Sequence, residues 1–282
     1  MPAEARDRVG SVIGGRYCLD RLIGRGAMAE VYRARALPDE QPVAVKILHR
    51  NVASDASTLH RFAREAHVLS MLQHRNVASL LAFGATPEQE PYLVMELLRG
   101  RSLRGVVKDG AVPPRRAGSY IWQALQGLAA VHAVGVLHRD LKPANVMVEP
   151  ASSGGGERIA LIDFGFASLD GGARLTEEGT LVGSLTYIAP ERLRGEAPDE
   201  RSDLYALGIM LFELLTGAPP FAADDALALM NLHLHAPPPT PAAAAPFAEV
   251  IRTALEKEPG RRYASALEMA AALAAAAPSL PV

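Results

Sequence analysis

The stretch that most constrains this chain is a polar loop followed, a short distance later, by an acidic one. The first reads His138-Arg139-Asp140-Leu141-Lys142-Pro143-Ala144-Asn145, and the second reads Asp163-Phe164-Gly165. No fold requires two carboxylates, a lysine and an amide in neighbouring loops for packing alone. Because Pro143 has no backbone N–H to donate, we expect Asp140 in a stiff loop and not inside a helix.

The residues between the two loops predict a β-hairpin. Val146–Val148 and Ile159–Ile162 are short apolar runs, and Gly154–Gly156 provides a glycine-rich turn between them. A hairpin brings its two ends together, so we expect Asn145 and Asp163 to lie side by side. An amide oxygen and a carboxylate near a polyphosphate suit Mg²⁺, which prefers oxygen ligands and keeps several waters.

These motifs resemble the catalytic loop and the metal-binding motif of protein kinases. The resemblance implies that Asp140 accepts the proton of the substrate hydroxyl and that Lys142 screens the transferring phosphoryl group. It also implies that Asn145 and Asp163 hold Mg²⁺, with Mn²⁺ as an alternative. The motif Asp-Leu-Lys-Pro, with its lysine two places after the aspartate, resembles the loop of serine/threonine kinases and not that of tyrosine kinases.

A second group of motifs, nearer the N-terminus, resembles the nucleotide-binding elements of the same family. Gly24–Val31 is similar to the glycine-rich loop whose glycines let the backbone fold over phosphates, although Ala29 stands where the family has its third glycine. In the strand Pro42–Leu48, side chains alternate, so Ala44 and Lys46 share a face. The resemblance implies that Lys46 binds the α- and β-phosphates.

The resemblance adds a glutamate and a hinge to this group. Glu65 lies in the predicted helix Ser57–Leu72, at the place where the family glutamate pairs with the strand lysine, here Lys46. Glu96–Gly100 resembles the hinge between the kinase lobes, whose backbone groups bind adenine. The residues expected to contact ATP are Ile23, Gly24, Arg25, Gly26, Ala27, Val31, Ala44, Lys46, Met95, Glu96, Leu98 and Met147.

A polar stretch downstream of the second loop resembles an activation segment. It covers 168–183 and continues into Gly183–Glu191, which ends in Ala-Pro-Glu. In this family an arginine before the catalytic aspartate, here Arg139, accompanies activation by phosphorylation of the segment. A phosphate carries close to two negative charges and accepts paired hydrogen bonds from arginine. The resemblance therefore predicts autophosphorylation, through a transient homodimer, at Thr176, Thr180 or both, with Thr180 favoured.

Two further polar positions are predicted to be structural. Ser202–Gly217 is apolar almost all round, which predicts a helix buried on every side. By resemblance, Asp203 near its start caps the backbone of the catalytic loop. Arg262 matches a late arginine that, in the family, pairs with the glutamate of Ala-Pro-Glu, here Glu191.

Composition excludes several other classes of function. The 29 Lys and Arg residues against 31 Asp and Glu leave a net charge of −2, which gives no electrostatic case for nucleic acid or an anionic membrane. A single cysteine, Cys18, fits a reducing compartment. We see no signal peptide and no window of the roughly 18 apolar residues that a membrane span requires. We therefore expect a cytoplasmic location and no membrane segment in this chain.

The resemblance covers about residues 17–275, with the motifs in the family's order, and is greatest to the eukaryotic-like serine/threonine kinases of bacteria. It implies an α+β, two-lobed protein kinase fold that transfers the γ-phosphoryl of Mg-ATP to Ser or Thr hydroxyls of proteins. The small lobe is expected to hold five strands and one helix, and the larger lobe to be mostly helical. The expected division is a tail at 1–16, a kinase domain at 17–278 split into lobes at 17–97 and 98–278, and a tail at 279–282.

Two alternatives stay open at this point. The first is a pseudokinase, a binding module that keeps the fold without the activity. Loss of Lys46, Asp140, Asn145 or Asp163 would indicate it, yet all four are present and only Ala29 favours it. The second is a small-molecule phosphotransferase of the antibiotic- or choline-kinase kind, which shares the loop aspartate and asparagine but lacks Asp-Leu-Lys-Pro followed by Ala-Pro-Glu.

Overall fold

The structure of the chain is a computed structural model that describes residues 8–26, 29–49, 56–151, 156–164, 185–240 and 242–277, with the backbone alone at 56–59 and 61. The chain divides into two compact units. The N-terminal unit comprises Met1–Gln73 and Ala78–Leu98, and the C-terminal unit comprises His74–Val77 and Arg99–Val282. One is built on a sheet and the other mainly on helices, so the expected α+β fold with two lobes is confirmed.

The N-terminal unit is an antiparallel sheet with one helix. Its strands occur in the spatial order β1-β2-β3-β4-β6-β5. Their bounds are β1 Val12–Ile13, β2 Tyr17–Arg25, β3 Ala29–Ala36, β4 Gln41–Leu48, β5 Leu80–Ala85 and β6 Pro91–Glu96. Helix α1, Ala56–Ser70, packs against β5. Phe62, Ala66 and Leu69 of this helix are buried, and the helix ends at Ser70, two residues before the predicted end at Leu72.

The sheet has six strands among the described residues, where five were predicted. The additional strand, β1, pairs with the start of β2 and lies in the region that was expected to be a tail. Gly14 and Gly15 join the two strands with φ of 57° and 67°, the left-handed conformation that a tight hairpin turn requires. A strand of two residues has no periodicity to detect, so the glycine pair was the only available signal.

The C-terminal unit combines helices with a small sheet. The sheet has the order β7-β8-β9, with β7 Arg101–Ser102, β8 Val146–Pro150 and β9 Glu157–Leu161. The helices are α2 Leu103–Lys108, α3 Pro114–Ala133, α4 Pro190–Leu193, α5 Glu200–Thr216, α6 Ala226–His235, α7 Ala248–Ala254 and α8 Ala266–Ala276. Single 3₁₀ turns occur at Pro143–Asn145, Ala242–Ala244 and Pro259–Arg261. The sequence pattern had not predicted α2, α4 or α6.

Helix α5 is the centre of the C-terminal core. Residues 202–215 of this helix are all buried, which confirms the prediction from its uniformly apolar sequence. Asp199 begins the helix by accepting a hydrogen bond from the Arg201 backbone N–H at 2.8 Å. Gly217 ends it with φ of 82°, a conformation that favours glycine. The helix packs against α3 and α7 and thereby fixes the loops at its own N-terminus.

The boundary between the units differs from the expected one in two respects. It falls after Leu98, and the short segment His74–Val77 groups with the C-terminal unit. Asn76 is buried there, its Nδ2 donates to the Ile159 carbonyl at 2.7 Å, and its own carbonyl accepts from the Leu161 N–H at 2.9 Å. These contacts join residues far apart in sequence, so no local pattern could have predicted them. None of the described helices is long and apolar enough to cross a membrane.

Candidate active site

The loop 138–145 is anchored by one buried carboxylate from the start of α5. Asp203 Oδ2 accepts from the His138 backbone N–H and Oδ1 accepts from the Arg139 backbone N–H, both at 2.9 Å. Arg139 has φ of 63°, a left-handed conformation that costs a non-glycine residue about 1 kcal/mol. The two hydrogen bonds offset that cost. The predicted capping of the catalytic loop by Asp203 is therefore confirmed.

Asp203 is itself held in the charged state by its surroundings. The residue is only 3% exposed, and His132 Nε2 donates to its Oδ2 at 3.0 Å. Burial would raise the pKa of Asp203, but the hydrogen bonds from His132 and from the His138 backbone hold the pKa below its ordinary value. A charged carboxylate accepts more strongly than a neutral one, so the loop is fastened firmly.

The Asp140 carboxylate is oriented by two neighbours in its own loop. Lys142 Nζ lies 2.9 Å and 2.8 Å from its two oxygens, and Asn145 Nδ2 donates to Oδ2 at 2.9 Å. A fourth bond, from Asn145 Nδ2 to the Asp140 backbone carbonyl at 2.8 Å, closes the loop on itself. The Asp140 side chain remains 42% exposed. The carboxylate is thus both fixed and accessible, as a proton acceptor for a bound hydroxyl must be.

The hairpin β8–β9 carries Asn145 and Asp163 to the same end, as predicted. The Ile162 backbone N–H donates to the Asn145 carbonyl at 3.0 Å, and Asp163 follows directly with φ of 57°. Because the Asn145 amide nitrogen is directed at Asp140, its Oδ1 is the atom available to a cation. An amide oxygen and a carboxylate form a hard, oxygen-only donor set, which fits Mg²⁺ bound partly by phosphate and water.

Two buried rings support the end of this hairpin. His138 is fully buried, and its Nε2 donates to the Ile162 carbonyl at 3.0 Å. Burial lowers the pKa of His138, so the ring is neutral near pH 7 and donates from one nitrogen only. Phe164 packs on it, with the ring centroids 4.7 Å apart. These contacts hold the backbone on both sides of Asp163.

In the N-terminal unit, strand register gathers several predicted nucleotide contacts on one face. Ala44 lies opposite Met95, and Lys46 lies opposite Val31 in the neighbouring strand. Residues directly opposite each other in an antiparallel pair point to the same side of the sheet. The opposite face carries the small hydrophobic core, including Tyr32, Ala34, Val43, Val45, Ile47 and Val94. The prediction that Ala44 and Lys46 share a face is confirmed.

A second set of predicted nucleotide contacts lies in the glycine-rich loop and at the end of the strand that leads into it. Gly24 pairs with Val31, and the Gly26 N–H donates to the Ala29 carbonyl at 2.9 Å. Ile23 is exposed, and Arg25 Nε donates to Glu30 at 3.1 Å. Ala27 lies outside the described residues.

The structure gives the positions of the hinge residues and of the helix glutamate, and their roles in binding ATP stay predictions. Glu96 bonds Ser79 twice, from its own N–H to the Ser79 carbonyl and from the Ser79 N–H to its side chain. Leu98 is half-buried at the end of the N-terminal unit, and Met147 is half-buried on β8 of the C-terminal unit. Glu65 is half-buried on α1, and its pairing with Lys46 stays a prediction.

The residues predicted to respond to phosphorylation are placed only in part. Thr176 and Thr180 lie outside the described residues. The Arg139 backbone is held on both sides, since its carbonyl accepts from Arg192 Nη1 at 2.6 Å. The predicted Glu191–Arg262 pair is confirmed, with both guanidinium nitrogens 2.8 Å from the carboxylate oxygens in a buried setting.

A cavity of about 480 Å³ adjoins the catalytic loop within the C-terminal unit. Its wall includes Lys142 from that loop, Arg104 from α2, and Tyr187 and Glu213. The Tyr187 hydroxyl donates to Glu213 at 2.6 Å, and burial raises the pKa of Glu213 against the influence of that bond and of Arg104.

Sequence reasoning missed the contributions of His132, Arg192 and Tyr187 to this site. Each acts on the loop or its cavity from another element, at a sequence separation of 71 residues for His132 and Asp203 and 53 for Arg192 and Arg139. His132 lies in the last turn of α3, and a histidine near a helix end has many ordinary explanations. No local signal identified these three residues.

Comparisons with known proteins agree with this geometry. The family model described as protein kinase domain matches residues 17–273. The serine/threonine-protein kinase pkn3 of Myxococcus xanthus is 38% identical over 275 residues, which cover 93% of this chain and 50% of that protein. The serine/threonine-protein kinase PknH of Mycobacterium tuberculosis is 40% identical over 277 residues, which cover 96% of this chain and 43% of that protein.

A solved structure is similar over almost the whole chain. The crystal structure of the Mycobacterium tuberculosis PknI kinase domain has a TM-score of 0.73 and 28% identity, covering 95% of this chain and 98% of that one. The chain therefore spans about half, or less, of the curated relatives named above, but nearly all of a single kinase domain.

Proposed function

The chain belongs to the protein kinase domain family, and on that basis we propose that it transfers the γ-phosphoryl group of ATP to serine or threonine hydroxyls of proteins. The observation that carries the proposal is Asp140 held between Lys142 and Asn145 in a loop capped by Asp203. The serine/threonine class is supported by Asp-Leu-Lys-Pro and by the names of the similar relatives.

The loop residues would divide the work as follows. The acceptor hydroxyl oxygen forms a bond to the γ-phosphorus while the bond to the β,γ-bridging oxygen breaks, and ADP leaves. Asp140 takes the hydroxyl proton. Lys142, which is already held against Asp140, offers positive charge to the transferring group. Most of the rate would come from positioning and charge neutralisation, since phosphoryl transfer requires little covalent chemistry from the protein.

Nucleotide and metal binding would use both groups of predicted residues. Lys46 would bind the α- and β-phosphates, with Glu65 orienting it, and the remaining ATP contacts would come from the residues predicted above. Asn145 Oδ1 and Asp163 would hold Mg²⁺, or Mn²⁺ in its place, which neutralises phosphate charge when bound. We place the reaction in the cytoplasm, where ATP is supplied and the single Cys18 stays reduced.

Regulation would act through phosphorylation of Thr176, Thr180 or both by a second copy of the chain in a transient homodimer. What supports this is the position of Arg139 beside the catalytic Asp140. Asp203 bonds the Arg139 backbone N–H and Arg192 bonds its carbonyl, so the backbone that carries the guanidinium is held in place. A phosphate accepting two hydrogen bonds from that guanidinium would order the segment.

The activity is tested by radiolabel transfer from ATP with Mg²⁺ to the chain itself and to a generic basic protein, followed by phosphoamino acid analysis. We expect phosphoserine or phosphothreonine from the wild type. Asp163→Ala should reduce transfer by about a thousandfold without unfolding the domain, because it removes a metal ligand. Asp224→Ala, an exposed acid on the same unit, is the matched control and should keep full activity. Full incorporation of labelled phosphate by Asp163→Ala would contradict the proposal.

The regulatory part is tested separately by mass spectrometry of protein made in active and Asp140→Asn forms. We expect phosphate on Thr176 or Thr180 in the active form alone. Unmodified threonines in active protein contradict it, as does full activity of a Thr176→Ala/Thr180→Ala variant towards added substrate.

A further inference from the structure

The segment 8–16, which precedes the region matched to the family, is built into the N-terminal unit. The Gly10 N–H donates to the Leu19 carbonyl at 2.8 Å, and the Leu19 N–H donates to the Ser11 carbonyl at 2.9 Å. Strand β1 pairs with β2, and Ile13 is buried in the core of the sheet. The segment therefore has a fixed place on the sheet.

Arg8, at the start of this segment, contacts two buried carboxylates. Its Nη2 donates to Glu90 Oε1 at 2.9 Å and lies 2.7 Å from Oε2, and its Nε lies 4.0 Å from Glu30 Oε2. Glu30 and Glu90 are only 7% and 8% exposed. Buried carboxylates are costly without partners, so Arg8 supports both positions at once.

Glu30 stands at the start of the strand that closes the glycine-rich loop. It follows Ala29, whose carbonyl accepts from the Gly26 N–H, and it lies opposite Arg25 on the other side of the loop. The same carboxylate accepts from Arg25 Nε at 3.1 Å and from the Tyr32 hydroxyl at 2.7 Å. The position of the Glu30 side chain is thus coupled directly to the backbone on which phosphates would rest.

Arg8 acts from the face of the sheet opposite to Lys46. Glu30 and Tyr32 alternate with Val31, and Tyr32 belongs to the core on the far face, whereas Val31 lies opposite Lys46. Arg8 therefore has no direct access to a nucleotide on the Lys46 face. Its effect on the nucleotide must pass through Glu30, both through the loop backbone and through the negative charge that Arg8 offsets.

We propose that Arg8 is a positioning residue for ATP, which neutralises Glu30 and holds the returning strand of the glycine-rich loop in place. The inference rests on the proposed function, because the loop is assigned to ATP there. Without Arg8, the Glu30 carboxylate keeps only Arg25 and the Tyr32 hydroxyl as partners, so the start of β3 is held less firmly. The loop then binds ATP less tightly, while Asp140 and its partners in the other unit are unchanged.

The test is the steady-state kinetics of Arg8→Gln in the full chain, with ATP varied. We expect KM for ATP to rise about fivefold and kcat to stay within about twofold, the pattern of a lost ground-state contribution. Arg8→Lys should give an intermediate KM, because one ammonium group cannot serve both carboxylates equally. Adding Glu30→Gln to Arg8→Gln should bring KM part of the way back to the wild-type value, because the charge beside the loop is gone while that of Glu90 remains.

The matched control is Arg35→Gln. Arg35 lies on the same sheet and bonds Asp20 and Glu40 near the end of the sheet away from the loop. Its loss should leave KM for ATP unchanged. An unchanged KM in Arg8→Gln, or equal increases in both variants, overturns the proposal and leaves Arg8 with a merely structural role.

Failure of the proposed function is distinguishable from failure of this inference. If the wild type binds ATP but transfers no phosphoryl group, the dissociation constant of ATP from calorimetry replaces KM, and the same ordering of variants is expected. If the wild type does not bind ATP at all, both proposals are wrong. Binding by the wild type with equal affinity in Arg8→Gln contradicts only the role of Arg8.

Discussion

The two units hold their functional side chains in different ways. In the N-terminal unit, Ala44, Lys46 and Val31 share a face because the strands β3 and β4 are in a fixed register. In the C-terminal unit, Asp140 lies in a loop whose backbone N–H groups are bonded by the buried Asp203, and Lys142 and Asn145 orient its carboxylate. Many backbone hydrogen bonds hold the strands of the N-terminal unit in register, whereas the loop of the C-terminal unit depends mainly on the single carboxylate of Asp203.

This difference has an energetic consequence. Truncating one side chain on a strand leaves the backbone ladder intact, so its neighbours keep their places. Removing Asp203 leaves the buried N–H of His138 and the half-buried N–H of Arg139 without their acceptor, and a fully buried group of this kind costs about 1–3 kcal/mol. Single substitutions should therefore have moderate effects on stability in the N-terminal unit and severe effects around the catalytic loop.

The largest effect on stability is expected from Asp203→Ala. We predict a loss of about 4 kcal/mol in the free energy of unfolding, from the two orphaned amides and the left-handed Arg139 that they hold. Transfer should fall by more than about a hundredfold, because Asp140 loses its defined position. Urea unfolding and radiolabel transfer measure the two quantities.

Glu200→Ala is the matched control for that substitution. Glu200 is an acid in the same first turn of α5, with its carboxylate 3.5 Å from His132 Nδ1, but no loop amide donates to it among the described hydrogen bonds. It should cost less than about 1 kcal/mol, as exposed ion pairs do. Equal losses in both variants would mean that Asp203 acts only through general electrostatics.

Acid should weaken the C-terminal unit through His233. Burial, and then the charge of Lys257, lowers the pKa of His233 to about 4, and its Nδ1 bonds the Tyr205 hydroxyl at 2.9 Å. The folded state keeps this ring neutral, while the unfolded chain binds a proton below the ordinary pKa. Stability from this group is therefore complete above about pH 6.5 and is lost as the pH falls to about 4, by about 3 kcal/mol in total.

His233→Gln should flatten the acid limb of a plot of unfolding free energy against pH. His235→Gln, an exposed neighbour on the same helix, should leave the limb as it is in the wild type. A limb that is equally steep in wild type and His233→Gln would show that the acid sensitivity comes from elsewhere, for instance from Asp203.

A smaller effect is expected from Glu65→Ala in the N-terminal unit. If Glu65 orients Lys46, its loss should lower kcat about tenfold and change nucleotide affinity by less than about twofold, because a bound nucleotide is then misaligned. Arg64→Ala, an exposed neighbour on α1, should have no effect. Kinetics identical to wild type would mean that Glu65 has no part in aligning Lys46.

The smallest effect is expected from Ala29→Gly. Ala29 is buried within β3 opposite Leu48, an extended position that alanine adopts without strain, so the missing family glycine does not distort the strand. Glycine there should change kcat/KM for ATP by less than about threefold, and it should cost up to about 1 kcal/mol of stability. A large gain in activity would instead favour the pseudokinase alternative, with a loop impaired by alanine.

Much of the site could be predicted because its information is local. The order Asp140, Lys142, Asn145 and then Asp163 places two carboxylates, a cation and an amide within one loop and one hairpin. Alternation over a few residues was enough to put Ala44 and Lys46 on one face. The uniformly apolar run of α5 was enough to predict a buried helix.

The sequence by itself determined the set of reactive groups and the elements that carry them. The spacing of the motifs indicates the groups, and short-range periodicity indicates the elements. The tertiary structure alone decided how those groups are held. It brought His132 and Arg192 to the catalytic loop, moved His74–Val77 into the C-terminal unit, and laid Arg8 across Glu30 and Glu90. Such contacts join distant residues through complementary charge and shape, and only the packed chain selects one partner from many with the same chemistry.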